Sequence, residues 1–223
     1  TYLVNAFAGE LAEGNPAGVV IAEDELSPAL MQAIAIDLGK SETAFVRPLG
    51  FGAYALRWFA PGGEMPLCGH ATLAAAVVIA ETRGESDLAF SYAGGELRVV
   101  VAGGEAALDL PLDPYEETPP DPRYEAFLGP LRLETRIRGL NTGKVVLIVS
   151  EDDDIGRLRP DFAAMRREEG PFSRGLGVSR RSSGYDFETR YFNPWYGVDE
   201  DYVTGTVHRS EEHTSELQSR QVI

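Results

Sequence analysis

The residues best suited to chemistry in this 223-residue chain stand at the start of an apolar helix. Residues 67–72 read Leu-Cys-Gly-His-Ala-Thr and lead from a turn into a helix predicted over 69–83. The first four N–H groups of a helix have no partner within it, and aligned peptide dipoles leave about half a positive charge there. Gly69 carries no side chain to obstruct an approaching group. This arrangement is typical of a carboxylate-binding site, although a core helix can begin in the same way.

A carboxylate and an imidazole are the candidate proton-transfer groups. Glu42 lies in Ser-Glu-Thr-Ala-Phe-Val at 41–46, and His70 follows Gly69 at the helix start. A carboxylic acid in a closed cleft can both take a proton and return it, because desolvation raises its pKa. The residues alone leave other interpretations open, since Glu42 could be an exposed strand-end glutamate and His70 a capping residue.

The second half of the chain contains a segment that partly resembles the helix start at 67–72. Val-Thr-Gly-Thr at 203–206 predicts the opening of another helix, with Gly205 and Thr206 near its N-terminus. Two such helix ends, one in each half, would face each other across a cleft. Elsewhere, Asn15 either binds polar substrate groups or satisfies the backbone of an Asn-Pro turn. For Arg190, a structural ion pair is the simpler interpretation.

Strands with few helices must position these residues. Leu30, Ile34 and Leu38 predict the inner face of one helix, which begins after the N-cap Ser27 and stops at Gly39. The order of elements predicts an α+β fold of two similar domains, each with a sheet around a central helix. Strands are predicted at 3–7, 18–22, 41–46, 53–59, 88–92, 96–102, 106–110, 144–149 and 185–192, and a short helix at 161–167.

Composition excludes several classes of protein. The net charge of −15 is not offset by any cluster of Lys and Arg, which argues against nucleic-acid binding. No apolar run approaches the roughly 20 residues that a membrane-spanning helix needs. Cys68 is the one cysteine of the sequence, so no intramolecular disulfide can form, and a reducing cytoplasmic setting is expected.

The ends of the domains are marked by changes in composition. Residues 1–112 form the first predicted domain, the proline- and acid-rich segment 113–122 a linker, and 123–208 the second domain. Residues 209–219 read RSEEHTSELQS, which is what a widely used sequencing-library adapter gives when translated in one frame. We therefore expect 209–223 to be a sequencing artefact and the second domain to be truncated.

Five motifs together resemble the PhzF-like family of the diaminopimelate-epimerase fold. They follow the order and spacing of that family from Val4 to His208, and the combination is specific although each motif is modest. The motifs are Gly14-Asn15-Pro16-Ala17, Ser41-Glu42-Thr43-Ala44-Phe45, Leu56-Arg57-Trp58-Phe59, Pro66-Leu67-Cys68-Gly69-His70-Ala71-Thr72, and residues 186–208.

The resemblance implies a function and a set of roles. It implies a two-domain fold with the active site in the interdomain cleft, often as a homodimer, and isomerisation by proton transfer without metal or organic cofactor. Glu42 resembles the family's acid/base, and His70 and Asp201 its active-site partners. The positions that resemble its substrate-carboxylate site are Gly69, Gly205 and Thr206. The chain departs from the family where Asn5 replaces aspartate, Tyr202 replaces proline and Thr206 replaces serine.

Two alternatives stay open. A thiol-based racemase or epimerase on the same fold would have a cysteine at each helix start. Cys68 occupies the first place, but Thr204 occupies the second, and its hydroxyl is too weak a base. The other alternative is a non-catalytic ligand-binding member of the fold. The sequence implies a small carboxylate as the partner and does not identify it.

Overall fold

The computed structural model describes residues 1–8, 14–110, 113–183 and 187–201, together with the backbone of 220–222. The chain divides into two compact units. The first takes in the described part of 1–110 and the strand at 220–222, and the second takes in the described part of 113–201. Among these residues, every helix is too short or too polar to cross a membrane.

The first unit is built on one mixed sheet, which has nine strands in the described part of the chain. The order is β1-β2-β3-β4-β6-β7-β8-β15, and β5 pairs with β4. The pairs β2–β3 and β4–β6 are parallel and the others antiparallel. Numbered along the chain, the strands are β1 Tyr2–Ala6, β2 Asn15–Ile21, β3 Thr43–Gly50, β4 Ala53–Ala60, β5 Gly63–Met65, β6 Asp87–Tyr92, β7 Gly95–Ala102, β8 Glu105–Asp109 and β15 Arg220–Val222.

Helix α1, Pro28–Leu38, connects the parallel strands β2 and β3. Its predicted ends are confirmed, because the Ser27 hydroxyl accepts a hydrogen bond from the backbone N–H of Leu30 and Gly39 ends the helix in the left-handed conformation. Of the three residues predicted for its inner face, Leu30 is instead exposed. Met31 and Ala35 are buried, whereas Leu30 is 47% exposed. The geometry of the sheet that the helix covers decides which of these apolar residues points inward.

Helix α2, Gly69–Arg83, is the central element of the first unit. It has the predicted bounds and ends at Gly84, which has a φ of 72°. It packs against β1, β2, β3, β7 and β8. Nearly all of its residues from Gly69 to Ile79 are buried, and the many alanines let the helix approach the sheet closely. A buried helix of this kind is apolar all round, which is the pattern that its sequence shows.

The second unit has a sheet of six strands within the described residues, in the order β14-β13-β12-β11-β10-β9. Only the pair β11–β12 is parallel among them. An aromatic and aliphatic core around Phe172 covers one face. The elements are β9 Tyr115–Glu117, α3 Arg123–Leu128, β10 Leu133–Gly139, β11 Val145–Val149, α4 Phe162–Arg167, β12 Leu176–Arg181, β13 Phe187–Asn193 and β14 Val198–Asp201, with 3-10 turns at Ile155–Arg157, Pro171–Arg174 and Pro194–Tyr196.

Both units are α+β, as predicted, but some elements differ from the prediction. The segment 113–122, predicted as a linker, contains β9, which pairs with β10, and its buried Asp113 carboxylate accepts hydrogen bonds from the backbone N–H groups of Asn141 and Thr142. The tail expected to be an artefact pairs through β15 with β8. The helix expected to open at 203–206 lies outside the described residues, and the domain limits stay predictions.

Two buried threonines of the first unit, Thr72 in α2 and Thr43 in β3, differ in whether their hydroxyl groups are hydrogen-bonded. The Thr72 hydroxyl donates to the carbonyl oxygen of Cys68 at 2.6 Å and accepts from Nε1 of Trp58 at 3.1 Å. The Thr43 hydroxyl has no hydrogen-bond partner in the described part of the chain. It lies against Gly18 of the neighbouring strand, where an added Cβ would stand 2.6 Å from Thr43 Oγ1.

We predict that two isosteric substitutions have different effects on stability. Thr72→Val removes two buried hydrogen bonds and should lower the free energy of unfolding by about 1–3 kcal/mol. Thr43→Val removes a buried hydroxyl without a described partner, so the free energy of unfolding should stay within about 1 kcal/mol of wild type or rise. Urea denaturation of the two variants checks this. An equal loss of unfolding free energy in both would contradict the difference in hydrogen bonding between the two hydroxyls.

Candidate active site

The structure brings together two of the predicted catalytic residues. Glu42 directly precedes β3, and its carbonyl oxygen accepts a hydrogen bond of 3.0 Å from the backbone N–H of Gly18. His70 is the second residue of α2. Its Nε2 lies 3.5 Å from Oε2 of Glu42, and the two side chains are only 3% and 9% exposed. The parallel pairing of β2 and β3 and the docking of α2 therefore place a buried carboxylate against a buried imidazole.

Ser41 and Asn15 extend this contact. The Ser41 Oγ lies 3.2 Å from Nε2 of His70. The same hydroxyl donates to Oδ1 of Asn15 at 3.1 Å. Asn15 is buried as the first residue of β2, so it does not stand in a loop as predicted. Sequence reasoning did not select Ser41, although its position beside Glu42 was the available signal.

Cys68 approaches the other side of the imidazole. Its Sγ lies 3.5 Å from Nδ1 of His70, and the residue is buried. Cys68 is the N-cap of α2 but gives no side-chain hydrogen bond to cap the helix. Its carbonyl oxygen accepts from the hydroxyl of Thr72, which holds the backbone at this point. The thiol therefore belongs to the same cluster as Glu42 and His70.

The cluster also has the composition of a metal site. Glu42, Cys68 and His70 each offer one ligand atom, and these atoms lie within 4.8 Å of one another. Carboxylate, thiolate and imidazole are all ligands of zinc. However, Glu42 approaches Nε2 and Cys68 approaches Nδ1, and a single ion binds only one nitrogen of an imidazole ring. The shortest contacts of the carboxylate and the thiol are therefore made to different nitrogens of the ring.

Gly69 has the position expected for a carboxylate-binding residue. It is the first residue of the 15-residue helix α2 and is buried. The first hydrogen bond of the helix that reaches back to the N-cap runs from the N–H of Thr72 to the carbonyl of Cys68. The N–H groups that precede it have no partner within the helix, and the helix dipole makes this end attractive to an anion.

The remaining predicted residues belong to the second half of the chain. Asp201 ends β14 opposite Tyr191 and is buried within the second unit. Gly205 and Thr206 lie outside the described residues. Arg190 binds Glu200 through two hydrogen bonds of 2.7 Å and also donates to the carbonyl oxygens of Ile155 and Leu158. The structural ion pair predicted for Arg190 is therefore present.

Comparison with a protein-family model identifies the chain. The model for "Phenazine biosynthesis-like protein" matches residues 4–210, nearly the whole sequence. The chain belongs to this family. It is 40% identical over 212 residues to a Pseudomonas aeruginosa protein named an uncharacterized isomerase, an alignment that covers 94% of this chain and 78% of the relative. Two further relatives carry the same description, so the family-level activity is that of an isomerase.

Solved structures agree on the fold. A PhzF-family phenazine biosynthesis protein of Enterococcus faecalis superposes with a TM-score of 0.80 at 36% identity, covering 94% of this chain and 78% of that chain. A protein of Agrobacterium radiobacter described as a probable proline racemase has a TM-score of 0.52 at 12% identity, covering 85% of this chain and 70% of that one. The second likeness concerns the fold alone. Together they support the predicted diaminopimelate-epimerase-like architecture of this family member.

We predict that Arg190 supports the strand that carries Asp201. Arg190→Lys loses the bidentate pair and part of the carbonyl contacts, so the free energy of unfolding should fall by about 1–3 kcal/mol. The matched control is Arg166→Lys, because Arg166 pairs with Asp199 of the same strand at a site where both side chains are 48% exposed. That variant should stay within about 0.5 kcal/mol of wild type. Similar losses in urea denaturation would count against the prediction.

Proposed function

We propose that this family member is a cofactor-independent isomerase that moves a proton between carbons of a small, carboxylate-bearing substrate, with Glu42 as the acid/base. The observation that carries the proposal is the contact of 3.5 Å between Oε2 of Glu42 and Nε2 of His70, both buried. Desolvation disfavours the charged form of a buried carboxyl group, which brings the group toward the range in which it can both take a proton from carbon and return it.

The proposed reaction uses one group for both steps. The Glu42 carboxylate removes a proton from one carbon, and the electron pair of that C–H bond delocalises toward an adjacent acceptor group of the substrate. The carboxylic acid so formed returns the proton to a second carbon, which restores the carboxylate. The imidazole of His70 lies beside Glu42 throughout and can donate a hydrogen bond to the carboxylate or to the substrate.

The substrate carboxylate is assigned to the N-terminus of α2. The amides that follow Gly69, and the positive end of the helix, supply hydrogen bonds and charge for it. Fixing this group would hold the reacting carbon near Glu42, and such positioning lowers the barrier of the chemical step. Asp201, Gly205 and Thr206 are proposed to complete the site on the evidence of the motif resemblance, and Asn15 to contribute through its amide.

One observation favours a second candidate. The Sγ of Cys68 lies 3.5 Å from His70, and a thiol beside an imidazole can act as a base in racemases of related fold. A two-base mechanism needs a second group on the opposite face of the substrate. The sequence contains one cysteine, so the thiol would have to act with a different partner.

We predict opposite results for two substitutions. Glu42→Gln keeps the shape of the side chain but cannot accept a proton, so isomerisation should fall by about 10²-fold or more. Cys68→Ser should keep activity within about tenfold. The measurement is exchange of substrate C–H for solvent deuterium, followed by NMR with a panel of small unsaturated and α-amino carboxylic acids. An active Glu42→Gln enzyme would refute the acid/base assignment, and an inactive Cys68→Ser enzyme would favour the thiol.

The cellular location, oligomeric state and biological role of the enzyme are proposed from its sequence. A single cysteine and the family resemblance support a cytoplasmic, homodimeric protein with a biosynthetic role. Analytical ultracentrifugation of the purified protein measures the oligomeric state directly.

A further inference from the structure

The imidazole of His70 is contacted at both nitrogens, and two of the contacting groups, Ser41 and Cys68, have no role in the proposed reaction. Nε2 lies 3.2 Å from Oγ of Ser41 and 3.5 Å from Oε2 of Glu42. Nδ1 lies 3.5 Å from Sγ of Cys68. A neutral imidazole carries one N–H donor and one acceptor nitrogen, so these contacts can be satisfied in two ways. Each way fixes the direction of every hydrogen bond in the cluster.

The tautomer with the proton on Nδ1 conflicts with three contacts. The sulfur of Cys68 would have to accept the hydrogen bond, and sulfur is a weak acceptor. The hydroxyl of Ser41 would have to donate to Nε2, although its proton is directed to Oδ1 of Asn15 at 3.1 Å. When Glu42 is ionised, the lone pair of Nε2 would also face a carboxylate oxygen. Two acceptors in such contact repel each other, and burial strengthens the repulsion.

The tautomer with the proton on Nε2 satisfies the hydrogen bonds of Cys68 and Ser41 in one direction. The thiol of Cys68 donates to Nδ1, and the N–H at Nε2 donates to Oγ of Ser41, with Oε2 of Glu42 at 3.5 Å beside it. The hydroxyl of Ser41 then keeps its proton for Asn15. The side chains of Cys68, His70, Ser41 and Asn15 therefore form a chain of hydrogen bonds, in which each side chain determines the orientation of the next.

We propose that Ser41 and Cys68 are positioning residues that hold the neutral imidazole of His70 in the Nε2–H tautomer, with its N–H on the Ser41 hydroxyl and beside Glu42. Cys68 acts in this arrangement as a protonated thiol that donates a hydrogen bond, and not as a base. The tautomer is a property of the folded protein alone. Only its value for catalysis, a fixed donor beside the acid/base, rests on the proposed function.

The test is the protonation of the two ring nitrogens, measured on the ¹⁵N-labelled full chain near pH 8 by long-range ¹H–¹⁵N correlation. The chain has three histidines, and a His70→Gln variant assigns the His70 signals. We expect Nδ1 to resonate as an unprotonated and Nε2 as a protonated nitrogen. A wild-type spectrum with the proton on Nδ1 would overturn the proposal without any variant.

Conservative and non-conservative variants then test the two positioning residues. Cys68→Ser retains a donor and should leave the Nδ1 resonance at the unprotonated position, whereas Cys68→Ala should move it toward the protonated one. Ser41→Ala should cause a similar shift and Ser41→Thr should cause little. The control is Ser173→Ala, since the Ser173 hydroxyl bonds only the Gly170 carbonyl among the described residues of the second unit. Identical spectra for all variants would overturn the assignment of Ser41 and Cys68.

The outcome is separable from that of the proposed function. Nε2–H in the wild type together with an active Glu42→Gln enzyme would refute the acid/base proposal and leave the tautomer assignment intact. Conversely, Nδ1–H in the wild type together with an inactive Glu42→Gln enzyme would refute the positioning role alone.

Discussion

The burial of polar side chains in an otherwise apolar unit is the constraint on which this site depends. A buried polar group without a partner is costly, whereas a set of such groups that satisfy one another can be stable and rigid. Asn15, Ser41, His70 and Cys68 form such a set across β2, the residues before β3, and the start of α2. Glu42 lies against its centre. The sheet and the helix therefore pack around this chain of contacts, and the proposed chemistry would make use of it.

The backbone that holds the set is itself tightly specified. The parallel pair β2–β3 places Gly18 opposite Thr43, and the carbonyl of Glu42 closes the ladder at this end. Helix α2 packs against the same two strands through small side chains. A shift of either element by one residue would turn a different side chain toward His70. The site is thus positioned by the ends of regular elements, since Ser41 and Glu42 directly precede β3 and Cys68 is the N-cap residue of α2.

The sequence predicted the parts of the structure that are governed by local pattern. Helix α2 was placed with correct bounds because it is apolar all round and ends at a glycine, and the ends of α1 follow from Ser27 and Gly39. The inner face of α1, the acidic strand β14 and the role of 113–122 depend on pairing with distant segments, which no local pattern reports. Glu42 and His70 were selected by motif, but the contacts of Ser41 and Cys68 needed the register of two strands and one helix.

The close approach of Gly18 to Thr43 has a consequence for how sequences of this family can vary. A Cβ at position 18 would meet both the Thr43 hydroxyl at 2.6 Å and Leu38 Cδ1 at 2.9 Å. The three positions therefore share one small volume, although they are separated along the chain by a whole helix. An alanine at position 18 would require the side chains of residues 38 and 43 to shift or to become smaller. Substitutions at these sites should therefore be correlated among relatives, and the neighbouring Glu42 should keep its place through such exchanges.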